Sequence, residues 1–199
     1  MSSSEMTIVG SLRSPFVRIC RLYMIQNNIE CKMKVLNFVD DPLQAEELAQ
    51  LSPINKVPLL IDGDKKIFDS RVIMEYLRKK YSLPERSLEE ENLVSAIYSC
   101  IDASVTLFLM HKDGFDINAK GFFLDRQRAR IPNNLNFITA WVKKLNPENS
   151  QDWNYASMSL FSYLYWAEAR DMLNLSEHPV MEDFVKKFSH LKGIAETSF

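Results

Sequence analysis

Three short segments early in the chain combine residue types able to hold an anion and a peptide backbone. Ser14-Pro15-Phe16-Val17-Arg18 places a preferred N-cap residue before a proline, which is favoured at the first helical position. As local structure this is a well-built helix start. As chemistry it is a hydroxyl at the positive end of a helix dipole, where first-turn amides lower the cost of a negative charge such as a thiolate. A cysteine pair at these two places would form a redox centre; Ser14 and Val17 stand there instead, which excludes dithiol exchange. Asn55-Lys56-Val57-Pro58-Leu59-Leu60 puts proline at the mouth of an apolar strand, where it cannot donate to the ladder and so marks an edge position or a tight cis turn. A cis turn leaves the amide and carbonyl of Val57 facing outward, ready for an extended peptide added as a strand, with Lys56 beside it for a carboxylate. Phe68-Asp69-Ser70-Arg71 opens a further helix. Asp69 and Ser70 are ordinary caps. They are equally a carboxylate for an ammonium and a hydroxyl with amides for a carboxylate, the two needs of an α-amino acid.

Other chemistries find no support. His111, His178 and His190 lie far apart with no cysteine or carboxylate at ligand spacing, so no metal is expected. The 5 glycines are too dispersed for a phosphate loop. Cys20, Cys31 and Cys100 are too few and scattered for a disulfide framework, which suits a reducing cytoplasm. Cys20, almost two helical turns after Ser14, reads as a buried apolar thiol. The net charge of -2 offers no global field for a polyanion or an anionic membrane, so neither nucleic acid nor membrane is an expected partner. Met1 to Thr7 is small and polar, unlike a secretory signal. Longer apolar runs are broken by charge or amide groups, short of the roughly 20 residues a bilayer span needs.

The elements that must position these segments follow from period and punctuation. Thr7–Gly10 reads as a strand, Ser14-Pro15 to about Asn27 as a helix, Lys32–Leu36 as a half-buried strand and Pro42–Gln50 as a second helix. Val57–Ile61 and Lys65–Phe68 form a hairpin around Asp62-Gly63-Asp64, and Asp69-Ser70 caps a helix to about Lys80. This order suggests a small mixed sheet covered by helices on both faces. Residues 1–82 form this unit and 83–88, with Pro84, a linker; 89–199 carry only helical periods, roughly Leu88–His111, Gly121–Leu145, Asn154–Leu173 and Pro179–Leu191. Pro132 should kink or break the second of these. Glu89-Glu90-Glu91 reads as a solvated first turn, and Phe161, Tyr163, Tyr165 and Trp166 as core of a helix buried nearly all round. The first half carries +2 and the second -4, so the sheet unit is the better host for an anion.

Together, in this order and spacing, SPFVR at 14–18, SPINKVPLLIDGDKKIFDS at 52–70 and RVIMEYLRKKY at 71–81 resemble the cytosolic glutathione transferase superfamily, in its serine-type bacterial and plant-like form. The resemblance implies a fold class of α/β plus all-α, a thioredoxin-like N-terminal domain followed by an all-helical C-terminal domain. It implies glutathione as co-substrate, a small electrophile, a homodimer and a cytoplasmic setting. It assigns Ser14 to the thiolate, Val57, before Pro58, to the cysteinyl backbone, Lys56 to the neighbourhood of the glycine carboxylate, and Asp69 with Ser70 to the γ-glutamyl end. The electrophile is expected against Leu12, Phe16, Phe108 and His111. One departure is Asn154-Tyr155-Ala156-Ser157, where the family opens a buried helix with Ser or Thr followed three residues later by Asp. Asn154 still caps and Trp153 can staple, but the reciprocal carboxylate bond is missing, implying a weakened start. Relatives that keep the fold and bind proteins, such as the stringent starvation protein, supply the alternative function.

Overall fold

The computed structural model describes residues 5–199; residues 1–4, the start of the polar Met1–Thr7 stretch, lie outside the described residues. The chain divides into two compact units, residues 1–85 with 192–199, and residues 86–191.

In the first unit β1 (Thr7–Gly10), α1 (Pro15–Gln26), β2 (Lys32–Val35), α2 (Pro42–Leu51), β3 (Leu59–Asp62), β4 (Lys65–Phe68) and α3 (Ser70–Lys80) follow the expected order. The sheet runs β2-β1-β3-β4, with β1 parallel to β2, and β3 antiparallel to both β1 and β4. Alternate strand residues point to opposite faces. Val9 and Leu59 join Leu36 and Leu48 of α2 in one core cluster, while α1 and α3 pack on each other. Gly63 supplies the positive φ of 59° in the two-residue β3–β4 turn. β3 starts at Leu59, later than the expected Val57, because Val57 and Pro58 are taken up by the turn before it.

Residues 192–199 also belong here, whereas the sequence reading leaves them with the helical half. Arg18 is the reason. It is 1% exposed within α1, and a buried guanidinium must have acceptors. Its Nε donates to Thr197 Oγ1 at 3.2 Å and a terminal nitrogen to the Ile194 carbonyl at 3.3 Å. Arg21 donates to the Glu196 carbonyl and Lys192 to Asn28. A contact made by one turn of polar chain leaves no periodic signal in the sequence.

The second unit is built from α4 (Leu88–Lys112), α5 (Phe122–Val142), α6 (Tyr155–Glu168) and α7 (Pro179–Phe188). α4 packs on α5 and α6, and α7 on both of these. By length and composition α4 would suffice to cross a membrane, which corrects the expectation that every apolar run falls short; half of its apolar stretch is buried within the fold, including Leu93, Ile97 and Ile101. α5 runs unbroken through Pro132. Pro132 is exposed, so the carbonyl of Arg128 that it leaves without an amide can turn to water. The acidic first turn of α4 is only partly solvated, since Glu91 receives Arg86 and partial burial raises the Glu90 carboxyl above its ordinary range.

α6 is enclosed on nearly every side, as its apolar circumference requires. Its serines do not leave orphan hydroxyls: Ser159 and Ser162 donate to the carbonyls of Tyr155 and Met158, four residues back. The weakened start expected for this helix is corrected. Asn154 Oδ1 accepts the Ser157 amide at 3.1 Å, and Ser157 Oγ accepts the Asn154 amide at 2.9 Å, a complete capping box closed by a hydroxyl. Trp153, just before it, sets its ring against Phe161 and Phe188.

Candidate active site

The register of the sheet decides where the three early segments emerge. Val9 pairs with Leu59, and Leu59 with Phe68. The chain therefore leaves β1 toward Ser14, enters β3 from Val57 and leaves β4 toward Asp69 at one and the same end of the sheet. Gly10, unremarked in the sequence, makes this convergence close. A Cβ built there would lie 2.5 Å from Val17 Cγ2 and 3.2 Å from Val57 Cβ, so only glycine lets the start of α1 and the turn before β3 meet over the end of β1.

Ser14 is the N-cap of α1 in extended backbone, with Pro15 first in the helix. Its Oγ accepts the Val17 amide at 3.3 Å and its own amide donates to the Ser11 carbonyl at 3.1 Å. Ser11 Oγ in turn accepts the Arg13 amide, and Arg13 pairs with Asp40 at the surface. Among the described residues Ser14 Oγ accepts but does not donate, so its proton is available to an acceptor in front of the helix. Ser14 is half-buried, flanked by half-buried Leu12 and Phe16.

The Val57-Pro58 bond is cis. Among the described residues neither the amide nor the carbonyl of Val57 has a backbone partner, which leaves a short free strand edge. Ser52 shapes the approach: its Oγ donates to the Lys56 carbonyl at 3.4 Å and its carbonyl accepts the Asn55 amide at 2.9 Å. Lys56 itself is exposed.

Asn55 in the second segment has a positive φ, 48°, and Asp69 in the third has φ 71° and ψ 133°. A non-glycine residue there costs on the order of 1–3 kcal/mol, and such strain gathers at ligand clamps. Its Oδ1 accepts the Arg71 amide at 2.8 Å while the residue stays exposed; Ser70 is only 3% exposed. The other end of α3 is anchored by a knot that sequence reasoning missed. Asp62, at the end of β3, accepts from Tyr76 Oη at 2.5 Å and from Lys80 Nζ. That carboxylate ties the far half of α3 to the sheet. Burial, with the adjacent Asp62 carboxylate, pushes the Tyr76 hydroxyl up to about 12, so it remains a donor. The signal available in sequence was the i, i+4 spacing of Tyr76 and Lys80 on one helix face.

Thiols offer no competing nucleophile. Burial raises Cys20 well above its ordinary range, Cys31 to about 11 and Cys100 to about 12. Among the described residues no group of three or more His, Cys, Asp or Glu could hold a metal ion. The four residues expected around an electrophile divide: Leu12 and Phe16 belong to the first unit, Phe108 and His111 to the second, where both line one cleft.

Residues 4–79 match the family model described as glutathione S-transferase, N-terminal domain. Dichloromethane dehalogenase of Methylophilus leisingeri is 34% identical over 74 residues, 35% of this chain and 28% of that protein. A stringent starvation protein A homolog of Pasteurella multocida is 30% identical over 81 residues, 41% of this chain and 37% of that protein. Glutathione S-transferase theta-1 of Homo sapiens is 29% identical over 68 residues, 34% and 28% of the two chains. The chain thus spans well under half the length of the curated relatives it matches. A solved glutathione S-transferase from Methylobacillus flagellatus, with GSH bound, superposes at a TM-score of 0.81 with 20% identity, over 98% of this chain and 99% of that one. One from Methylobacterium radiotolerans, in complex with glutathione sulfonate, gives 0.81 with 16% identity over 97% and 94%. At such identities the likeness concerns the fold: a thioredoxin-like unit followed by an all-helical one.

Proposed function

We propose that this chain, whose residues 4–79 match the glutathione S-transferase N-terminal domain, is a cytosolic glutathione transferase that binds glutathione and makes its sulfur attack a small electrophile. The observation that carries this reading is the hydroxyl proton of Ser14, undonated at the N-terminus of α1. The tripeptide lies extended along the free edge at Val57. Its γ-glutamyl ammonium meets Asp69, its γ-glutamyl carboxylate meets Ser70 and the first amides of α3, and its glycine carboxylate lies near Lys56. Ser14 donates to the sulfur. That bond and the helix terminus both favour thiolate over thiol, and each unit by which the thiol pKa falls corresponds to about 1.4 kcal/mol. The thiol proton goes to solvent. The thiolate pair then forms a sulfur–carbon bond while the electrophile releases its leaving group or takes up a proton. Serine need not act as a base. Leu12, Phe16, Phe108 and His111 remain the proposed electrophile contacts, and a cytoplasmic homodimer the proposed setting.

Two measurements test this. Glutathione at 100 times its dissociation constant should stabilise the protein by about 2.7 kcal/mol, seen as a rise in melting temperature. Ser14→Ala should keep most of that shift yet lower the conjugation rate about tenfold or more, because the lost bond is made mainly to charged sulfur. Equal loss of binding and rate would remove Ser14 from the chemistry.

The match to a stringent starvation protein A homolog favours a second reading, a binding protein that presents this fold to a larger assembly. Absence of any thermal shift at millimolar glutathione would select it.

A further inference from the structure

Besides α3, α1 packs on a 3₁₀ turn, Ala195–Thr197, that belongs to the same unit although it follows the helical unit in sequence. The contacts fall on one face of α1, at Arg18, Arg21, Leu22 and Ile25, which is the i, i+3, i+4, i+7 spacing of a helix stripe. Arg18 Nε donates to Thr197 Oγ1, and Arg21 donates to the Glu196 carbonyl at 2.6 Å. Gly193, with φ 90°, is pressed on the other two: a Cβ built there would lie 3.1 Å from Leu22 Cδ2 and 3.3 Å from Ile25 Cγ2. Only glycine combines that backbone with so close an approach. Thr197 is fully buried, and its hydroxyl closes the turn by donating to the Gly193 carbonyl at 2.7 Å while accepting from Arg18.

This face begins within one turn of Ser14. The Arg18 amide donates to the Ser14 carbonyl at 3.0 Å, and the Val17 amide to Ser14 Oγ at 3.3 Å. The residue whose side chain reaches the turn at 193–197 therefore also carries a backbone bond to the serine. A guanidinium holds its acceptors in a fixed planar fork, so it restrains both the position and the rotation of the helix that bears it. Such restraint matters for a group that must meet a reacting atom, because a misplacement of about 1 Å costs on the order of 100-fold in rate. We propose that residues 193–197 clamp α1, and that Arg18 and Thr197 are positioning residues that set how the Ser14 hydroxyl meets the sulfur of the bound tripeptide. The inference rests on the glutathione reading above and adds to it a control point outside the three ligand-binding segments. Both residues are buried, so each acts through the first turn of α1 and neither touches the ligand.

Thr197→Val removes the hydroxyl at nearly constant shape, and Thr197→Ser restores it. Without ligand, amide hydrogen exchange at Val17 and Arg18 should be about tenfold faster in Thr197→Val than in the wild type. With glutathione, the bound thiol, titrated by the ultraviolet absorbance of its thiolate, should have a pKa about one unit higher in Thr197→Val. At neutral pH the kcat for conjugation should fall about tenfold while KM for glutathione changes by less than about twofold. Thr197→Ser should return all of these to wild-type values. Arg21→Gln loosens the clamp farther from Ser14; it should move the same readouts in the same direction by less, and it stands in if Thr197→Val does not fold. A folded variant with a lowered melting temperature but unchanged exchange, thiol pKa and kcat would make the clamp structural only and overturn the proposal. A fall in kcat matched by an equal rise in KM, or a Thr197→Ser that does not recover, would do the same. A wild type that binds no glutathione overturns the reading above instead, and the exchange rates at Val17 and Arg18 still decide whether the clamp holds Ser14.

Discussion

The starts of α6 and of the sheet unit's α1 and α3 are built differently. At α6 the first turn is closed from within: Asn154 and Ser157 exchange two bonds, and Trp153 covers the turn with its ring. At α1 and α3 the N-cap side chain takes an amide of the first turn without the returning bond that would complete a box, and Asp69 holds a backbone angle that glycine would adopt more easily. The first arrangement satisfies the donors of its turn reciprocally. The second, shared with Asp41 at α2 and Ser87 at α4, leaves the turn closed from one side only; at α1 and α3 that open side is where the proposed ligand would bind.

This contrast can be broken by mutation. Phe161, inside α6 and 1% exposed, touches Trp153, Tyr165 and Phe184. Phe161→Ala should cost about 3–5 kcal/mol in denaturant unfolding, the largest effect expected here. Asn154→Ala removes one bond of the box and leaves the Ser157 amide unmet, at about 1–2 kcal/mol, or several degrees of melting temperature. Asp69→Gly should have the opposite sign: it relieves the positive φ and loses only a weak cap, raising stability by about 1 kcal/mol while weakening glutathione binding by calorimetry. Destabilisation by Asp69→Gly would erase the distinction between the two kinds of start.

The mildest effect is alkaline. Cys31 and Cys100 are pushed up to about 11 and about 12, and Tyr76 to about 12, all chiefly by burial. The folded chain therefore holds protons that the unfolded chain begins to release as pH approaches the free thiol value of about 8.5. Stability should fall progressively as pH rises from about 8 toward 12, read as a falling denaturation midpoint. A midpoint that rises over that interval would contradict the burial of these groups.

Much of the first unit was legible because its signals are local. Ser14-Pro15, Pro42, Gly63 and Asp69-Ser70 are punctuation marks whose meaning depends on neighbouring residues alone, and the elements they bound lie within two residues of expectation. What escaped depends on distant partners. Gly10 matters because Val17 and Val57 press on it from two elements. Asp62 matters through Tyr76 and Lys80, and Arg18 through residues 176 and 179 positions away. The capping box at α6 was misread because a hydroxyl can return the bond usually given by a carboxylate.

The distance from Arg18 to its acceptors also sets an order of events during synthesis. The helix that presents Ser14 leaves the ribosome well before the carbonyl and hydroxyl that satisfy its guanidinium, which lie 176 and 179 positions later in the chain. A nascent first unit therefore carries an incomplete α1 until the helical unit has been made, and long-range closures of this kind form late.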